Sequence, residues 1–417
     1  MFLILPTQLY DIKLLKKLRP KITRILLWEH PQYFTKYNYN IKKLILHRAA
    51  MRSYLKELKR AKFAVDYCPY DEDPKGLADY RTWDPVDNIK LPGRPKIIES
   101  PNFLLSKNDY TEFYSRVKKR MVFNNFYIWG KNKLKLFPEL RSLDKQNRSS
   151  FTGRPPKLTR APTRKTAEIK EAEAYIMARF KKNIGRPDGF NYPTTRTAAL
   201  KSLRKFIKTK FNKFGPYQDF VNKTNPIMYH SILSSSLNIG LLCPSDIIKA
   251  ISKVRRKIAA NSFEGFVRQL FWREYQRLCY IHVDFKKYTH KNKELLNVAW
   301  YTGTLGVEPI DDLIKSGIEI GYIHHIGRLM FVGNYMNLSG ISPAEAFKWF
   351  MEFAIDSYEW VMYQNVYDMV FYSTKGHTTT RPYVCSSKYA LRMSNYKKGK
   401  WCEKWDALYG LRSGKLL

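Results

Sequence analysis

The chain has 417 residues, 44% of them hydrophobic and 15% aromatic, which suits a large packed interior split over two domains and excludes a disordered polypeptide. Lys and Arg number 74 against 36 Asp and Glu, a formal net charge of +38. Such an excess repels itself and points to a polyanionic partner, DNA or RNA, with a general lysine bias as the plainer alternative. No apolar run approaches the roughly 20 residues that a spanning helix needs.

Five scattered cysteines (Cys68, Cys243, Cys279, Cys385 and Cys402) form no CxxC pair. They argue against a disulfide framework or a zinc site and for a reducing, intracellular setting, with the nucleus or a viral factory suggested by charge. The opening MFLILP is followed by YDIKLLKKLRPK without a cleavage pattern, so it reads as a buried first strand and not as a signal peptide.

Over residues 1–140 strand and helix patterns alternate. Phe2–Leu5, Ile25–Trp28, Phe63–Tyr67 and Lys96–Glu99 read as strands and Tyr39–Lys59 as a helix, an order that predicts a parallel α/β sheet. The Gly- and Pro-rich Asp71–Pro95 reads as a long loop. Residues 141–194 form a basic, largely solvated connector interrupted by a helix near Glu168–Lys181. From residue 195 to 417 the pattern is all-helical, with helices expected over 195–213, 244–259, 263–278, 308–319, 324–338, 343–362 and 387–395. Pro244 and Pro343 sit near helix starts, and Asn261 and Ser342 are expected caps.

Four segments carry candidate chemistry. In NSFEGFVRQLFWREYQRLCY, Glu264, Arg268 and Trp272 recur every fourth residue with Tyr275 beside them, and Arg273 and Arg277 form a second, basic stripe. The first face suits the wall of a pocket for a flat, polar, conjugated ligand, or else a surface ion pair beside a core Trp. His324 and His325 are adjacent and point to different sides of a helix, with Arg328 one turn on from His324. They lack metal-ligand spacing and offer an imidazole for proton transfer, or simply a buried, hydrogen-bonded His. Trp349, Phe353, Asp356 and Trp360 are expected on one helical stripe, a carboxylate among aromatics that needs a partner. The segment MYHSILSSSLNIGLLCP strings hydroxyls before a helix, a weak phosphate-binding signal.

Read together, HSILSSSLNIGLLCP, EGFVRQLFWREY, GYIHHIGRLMFVGNYMNLSGISP, IDSYEWV and RPYVCSSKYALRMSNYKKG resemble the prokaryotic, (6-4) photolyase-like branch of the photolyase/cryptochrome family, as do LILPTQLYD, KKLILHRAAMRSYLKEL, ESPNFLLS and GFNYPTTRTAALKSL nearer the start. The resemblance implies an α/β, Rossmann-like antenna domain over 1–140, the connector over 141–194, and an all-α FAD- and DNA-binding domain over 195–417. It implies light-driven repair of UV-damaged DNA by a monomer, with the lesion flipped out of the stack. His325, with His324 alongside, matches the family's proton donor. Ser231, Ser234, Leu237, Glu264, Arg268, Gln269, Trp272, Asp356 and Asn365 would hold FAD, and Trp349, Trp360 and Tyr301 would carry electrons. Arg273, Lys397, Lys398 and Lys400 would meet DNA.

The sequence departs from the family at several points. Three of the four iron–sulfur stations match Pro309, Lys397 and Lys400, leaving Cys402 alone, so no iron–sulfur cluster or other metal is expected. Phe350 replaces a Tyr and Tyr301 a Trp, and the glycine-rich stretch after the flavin helix reads NVYDMVFYSTKGHTT. A lumazine-type antenna chromophore is implied only by the branch. Two other functions remain open: a non-catalytic nucleic-acid-binding or packaging relative, and a blue-light sensor.

Overall fold

A computed structural model describes residues 1–117, 120–156 and 165–416. Residues 157–164 of the expected connector lie outside that range.

Five parallel strands form the N-terminal sheet in the order β3-β2-β1-β4-β5, with β1 Phe2–Ile4, β2 Arg24–Trp28, β3 Ala64–Cys68, β4 Asp79–Trp83 and β5 Arg94–Ile98. Apolar β1 and β2 are buried at the centre, whereas β3 and β5 are exposed edges. The switch from β1–β2 to β1–β4 leaves a crevice at the carboxyl ends of these strands.

Strand β4 lies inside the stretch expected to be a loop. Tyr80, Thr82 and Trp83 are buried and Arg81 is half-buried, and Arg81 pairs in register with Phe2. The turn residues around it mask a five-residue signal that pairing with β1 and β5 stabilises.

The Ile41–Arg60 helix packs against Ala167–Arg179, the helix expected within the connector. That packing is not a solvated linker. Arg48, whose side chain is 2% exposed, bonds Glu29 at 3.0 Å and Glu171 at 2.6 Å, and its guanidinium lies 3.3 Å from the ring centre of Tyr175.

The 23-residue helix Ala260–His282 is the axis of the second half. It begins earlier than expected, with Ala259 as its N-cap: Asn212 Oδ1 accepts from the Ala259 amide, while Asn261 lies inside the first turn and accepts from the Ser262 amide. Two helices without an expectation, Lys107–Val117 and Phe123–Leu134, pack against it. Gly130 is required there, because a Cβ would lie 2.8 Å from the Phe271 ring. Glu308–Ile320 and Ser387–Arg392 fall within two or three residues of their expected ranges, and Ser342 caps Pro343–Phe353 through the Glu345 amide.

Two expected helices differ in kind. The 324–338 segment contains π-helical turns over Gly327–Gly333, and 343–362 breaks after Phe353 to resume at Glu359–Tyr363. No helix among the described residues is long and apolar enough to cross a membrane.

Glu29 is fully buried, and burial pushes its carboxyl above the usual range against the pull of Arg48. Arg48→Met leaves this acid without its cation and is expected to destabilise the fold by about 3–5 kcal/mol. The Arg48→Met/Glu29→Gln double variant should lose less. Denaturant unfolding checks both.

Candidate functional site

The second half encloses a cavity of about 440 Å³, within the range of small-molecule sites. Its wall is built from segments distant in sequence, joined at one carboxylate. Arg328 donates to Asp356 Oδ1 at 2.8 Å, Ser234 Oγ donates to Oδ2 at 2.6 Å, and the Asn238 amide donates to the Asp356 carbonyl at 2.8 Å. The remaining Arg328 Nε–H donates to the Ile323 carbonyl at 2.5 Å.

Asp356 is therefore not on a helical stripe. The chain leaves the helix at Ala354 in an extended conformation, and Ile355 N–H bonds Gly321 O at 2.9 Å. Trp349 and Trp360 part at this break. Trp349 stays in the core, while Trp360 packs on Phe103 and beneath Arg273. Neither lines the cavity, nor does Tyr301, which donates to Glu352 at 2.9 Å beside a separate groove.

The hydroxyl-rich segment supplies Ser231, Ser234 and Leu237 to the wall. Its backbone is strained there. Met228 and β-branched Ile232 take φ values of 44° and 53°, conformations that cost about 1–3 kcal/mol and persist only when the surroundings enforce them. Gly240, at φ 87°, packs against Tyr10, where a Cβ would come within 2.6 Å of the ring.

From the Ala260–His282 helix, Arg268, Gln269, Trp272, Arg273 and Gln276 face the cavity. Glu264 does not. It is buried one turn away, accepting from the Leu143 amide at 3.2 Å. The Glu264–Arg268–Trp272 face mainly packs on its neighbours: Trp272 stacks on Phe123 at 3.6 Å, and Arg268 bonds Ser142 Oγ. The lining stripe is the adjacent one through Gln269 and Arg273.

Arg273, expected to meet DNA, and Arg277, the other member of the basic stripe, are internal. Arg273 is buried and donates to the Asn102 carbonyl at 2.6 Å, while Arg277 pairs with Asp84 at 2.8 Å. Arg273 is thus withdrawn from any surface phosphate. Lys397, Lys398 and Lys400 are exposed.

The two adjacent histidines diverge as expected. His325 projects into the cavity, exposed to its space although protein surrounds it. His324 is buried behind, stacked 4.5 Å from His230, and neither of its ring nitrogens has a partner. Burial, with the nearby Arg328 cation, pushes His325 down to about 4, and burial pushes His230 down to about 3.

Asn365 donates to the Val361 carbonyl at 2.7 Å, and its Oδ1 is buried without a partner. Gln218 Oε1 and His230 Nε2, on two further lining residues, are likewise unpartnered. Unsatisfied polar atoms around an apolar hollow fit a flat ligand with its own donors and acceptors. Sequence reasoning missed Gln218, His230 and Asp219, which stand outside any periodic motif. Asp219 lies 3.9 Å from Arg148, and burial pushes its carboxyl up to about 7. Among the described residues no three His, Cys, Asp or Glu side chains gather as metal ligands.

A parallel sheet followed by a helical unit with a central cavity is the architecture of photolyases and cryptochromes. Solved structures with this fold include a bacterial class III photolyase from Agrobacterium tumefaciens (TM-score 0.58, 15% identity, 99% of this chain and 98% of that one). An archaeal photolyase from Sulfolobus tokodaii, solved with two FAD molecules, matches at TM-score 0.55 and 14% identity over 100% of this chain and 94% of its own. The first part of the chain also matches a photolyase-related family. Residues 2–83 and 77–192 match the family model described as deoxyribodipyrimidine photo-lyase-related protein. A (6-4) photolyase of Agrobacterium fabrum is 36% identical over 244 residues, 57% of this chain and 47% of that protein. The chain thus spans about half the length of this curated relative. An uncharacterized protein of Acanthamoeba polyphaga mimivirus is 53% identical over 81 residues, 19% of this chain and 66% of its own.

A depressed His325 binds fewer protons folded than unfolded, so the native state loses stability as pH falls from about 6.5 toward about 4. Arg328→Gln removes one cause and should move the imidazole midpoint upward in an NMR titration; an unchanged midpoint would show that burial alone sets it.

Proposed function

We propose that this chain is a flavin-dependent, light-driven DNA-repair enzyme of the (6-4) photolyase type. The observation that carries the reading is that the Ser234–Asp356–Arg328 junction and His325 line one cavity, together with residues that hold unpartnered polar atoms. The family match, the (6-4) photolyase relative and the FAD-containing structural neighbour support it.

Bound FAD would supply a photoexcitable one-electron donor for a pyrimidine lesion. Asp356 and Arg328 would orient it by charge and hydrogen bonding, Ser231, Ser234 and Leu237 would hold its polar tail, and Asn365 Oδ1 would accept from its ring system. Gln269, Arg268 and Trp272 line the cavity as further contacts. Burial and the Arg328 cation disfavour the charged form of His325. A lesion phosphate entering the cavity would favour its charged form and ready it to give a proton to the substrate.

Arg148, Arg381 and Arg392 combine exposure with a place on the cavity lining, and neither Arg381 nor Arg392 has an acidic partner among the described residues. They suit the phosphates flanking a flipped nucleotide, with Lys397, Lys398 and Lys400 lengthening the basic track. The mimivirus relative supports a viral setting, and a monomer needs no further surface for this chemistry.

A packaging role would use the same charge without a cofactor. The purified protein is expected to show flavin bands in its absorption spectrum; their absence after FAD supplementation favours packaging. His325→Ala should keep FAD but abolish light-dependent restoration of (6-4)-lesioned DNA, and full activity in that variant would remove the proton-donor role. Replacing Lys397, Lys398 and Lys400 by Gln should flatten the salt dependence of DNA binding, the log–log slope falling by up to about 0.9 for each phosphate that is no longer neutralised.

A further inference from the structure

The segment that carries Asp356 is held from outside the helical half. Residues 354–358 link the Pro343–Phe353 and Glu359–Tyr363 helices, and each of the four residues after Asp356 is gripped by a different side chain of the α/β half. Lys43 Nζ donates to the Ser357 carbonyl at 2.5 Å, and the Tyr358 hydroxyl bonds His47 Nε2 at 2.8 Å. Lys36 pairs with Glu359, and Asp87 Oδ1 accepts from the Trp360 amide at 2.9 Å. Lys43 and His47 stand one turn apart on the buried face of the Ile41–Arg60 helix, Lys36 precedes that helix, and Asp87 follows β4. Among the residues that line the cavity none precedes Asp144, so the α/β half reaches the site only indirectly.

Lys43 is the most constrained of the four. Its ammonium lies 4.3 Å from the ring centre of Tyr39 and 4.8 Å from that of Tyr358. Burial disfavours its charge, while the carboxylates of Asp87, Asp356 and Glu359 favour it. A lysine withdrawn from water needs such compensation. The carbonyl it holds is buried too, one residue from Asp356. Without the ammonium that carbonyl must rotate to find another donor, and the turn of the backbone is felt at Asp356. On the other side of Asp356 the helical half supplies the anchors: the Ile355 amide donates to Gly321, and Asn238 donates to the Asp356 carbonyl. The two halves of the molecule thus hold opposite ends of one short segment, with the carboxylate between them.

We propose that Lys43 is a positioning residue for the cavity: through Ser357, and with Lys36, His47 and Asp87 on the next three residues, the α/β half sets the place of the Asp356 carboxylate and hence the affinity of the cavity for its ligand. The inference rests on the reading of that ligand as FAD. Arg328 and Ser234 are side chains that meet the carboxylate where the backbone presents it, so the backbone anchors decide whether the junction forms in register.

A double-mutant cycle in the full-length protein tests this. Lys43→Met keeps the apolar stem and removes the donor. In calorimetric titration its FAD affinity should fall about tenfold, the scale of one lost charge-assisted hydrogen bond. Asp356→Asn should weaken binding by itself, and adding Lys43→Met should then cost far less than tenfold, because the charge that Lys43 places is gone. The full tenfold loss on the Asn background marks a general packing role and overturns the proposal, as does wild-type affinity in Lys43→Met. His47→Phe, which keeps a ring against Tyr33 and drops the bond to Tyr358, runs the same cycle should Lys43→Met not fold. A second readout needs no flavin. Hydrogen exchange at the Ile355 and Trp360 amides, which bond Gly321 and Asp87, should quicken in Lys43→Met while amides of the Ala260–His282 helix keep their wild-type rates. Unchanged exchange at Ile355, or a rise matched in that helix, refutes the positioning role whether or not FAD binds. Quickened exchange at Ile355 in a protein whose wild type binds no FAD removes the flavin reading and leaves the hold on Asp356 standing.

Discussion

The Arg328–Asp356 ion pair is the constraint on which the site depends. Its side chains are only 14% and 8% exposed, so each charge has given up most of its water. Such a pair is tolerable only with close geometry and with its remaining donors and lone pairs satisfied. Here Ser234 Oγ takes the second carboxylate oxygen and the Ile323 carbonyl takes the guanidinium Nε–H. The partners come from the hydroxyl-rich segment, the π-helical segment and the break after Phe353, so the cavity exists only when all three are in place. The same arginine depresses His325, which links the architecture of the hollow to the protonation state of the group facing it.

The charge imbalance has an internal counterpart. Many of the 36 acids are committed to partners inside the fold: Glu29 to Arg48, Asp84 to Arg277, Asp246 to Arg196 and Asp356 to Arg328. Glu274, fully buried, accepts from Tyr110 and from the Leu104 and Leu105 amides. These pairs use equal numbers of cations and anions, so the surplus of +38 falls on the remaining, mostly exposed, lysines and arginines. A polyanion is the natural counterpart of that surface.

Much of this was legible in the sequence where one element decides its own environment. The apolar runs of β1 and β2, the amphipathic Ala260–His282 helix and the divergence of His324 from His325 follow from local periodicity. Residues whose roles depend on tertiary pairing were not legible. Strand β4 needs β1. Asp356 leaves its helix because Gly321 and Asn238 capture backbone groups that a helix would have used. Glu264 and Gln269 lie about 140° apart around one helix, so which of them faces the cavity is set by tertiary packing, such as that of Phe123 on Trp272. Likewise Arg273 reads as a surface cation until the Asn102 carbonyl is seen to receive it.

Calorimetric titration of FAD into flavin-free protein, wild type beside Asp356→Ala, addresses the central claim most directly. Saturable one-to-one binding that the alanine variant loses while remaining folded is the predicted result. Equal affinity in both proteins, or no heat of binding in either, would contradict it.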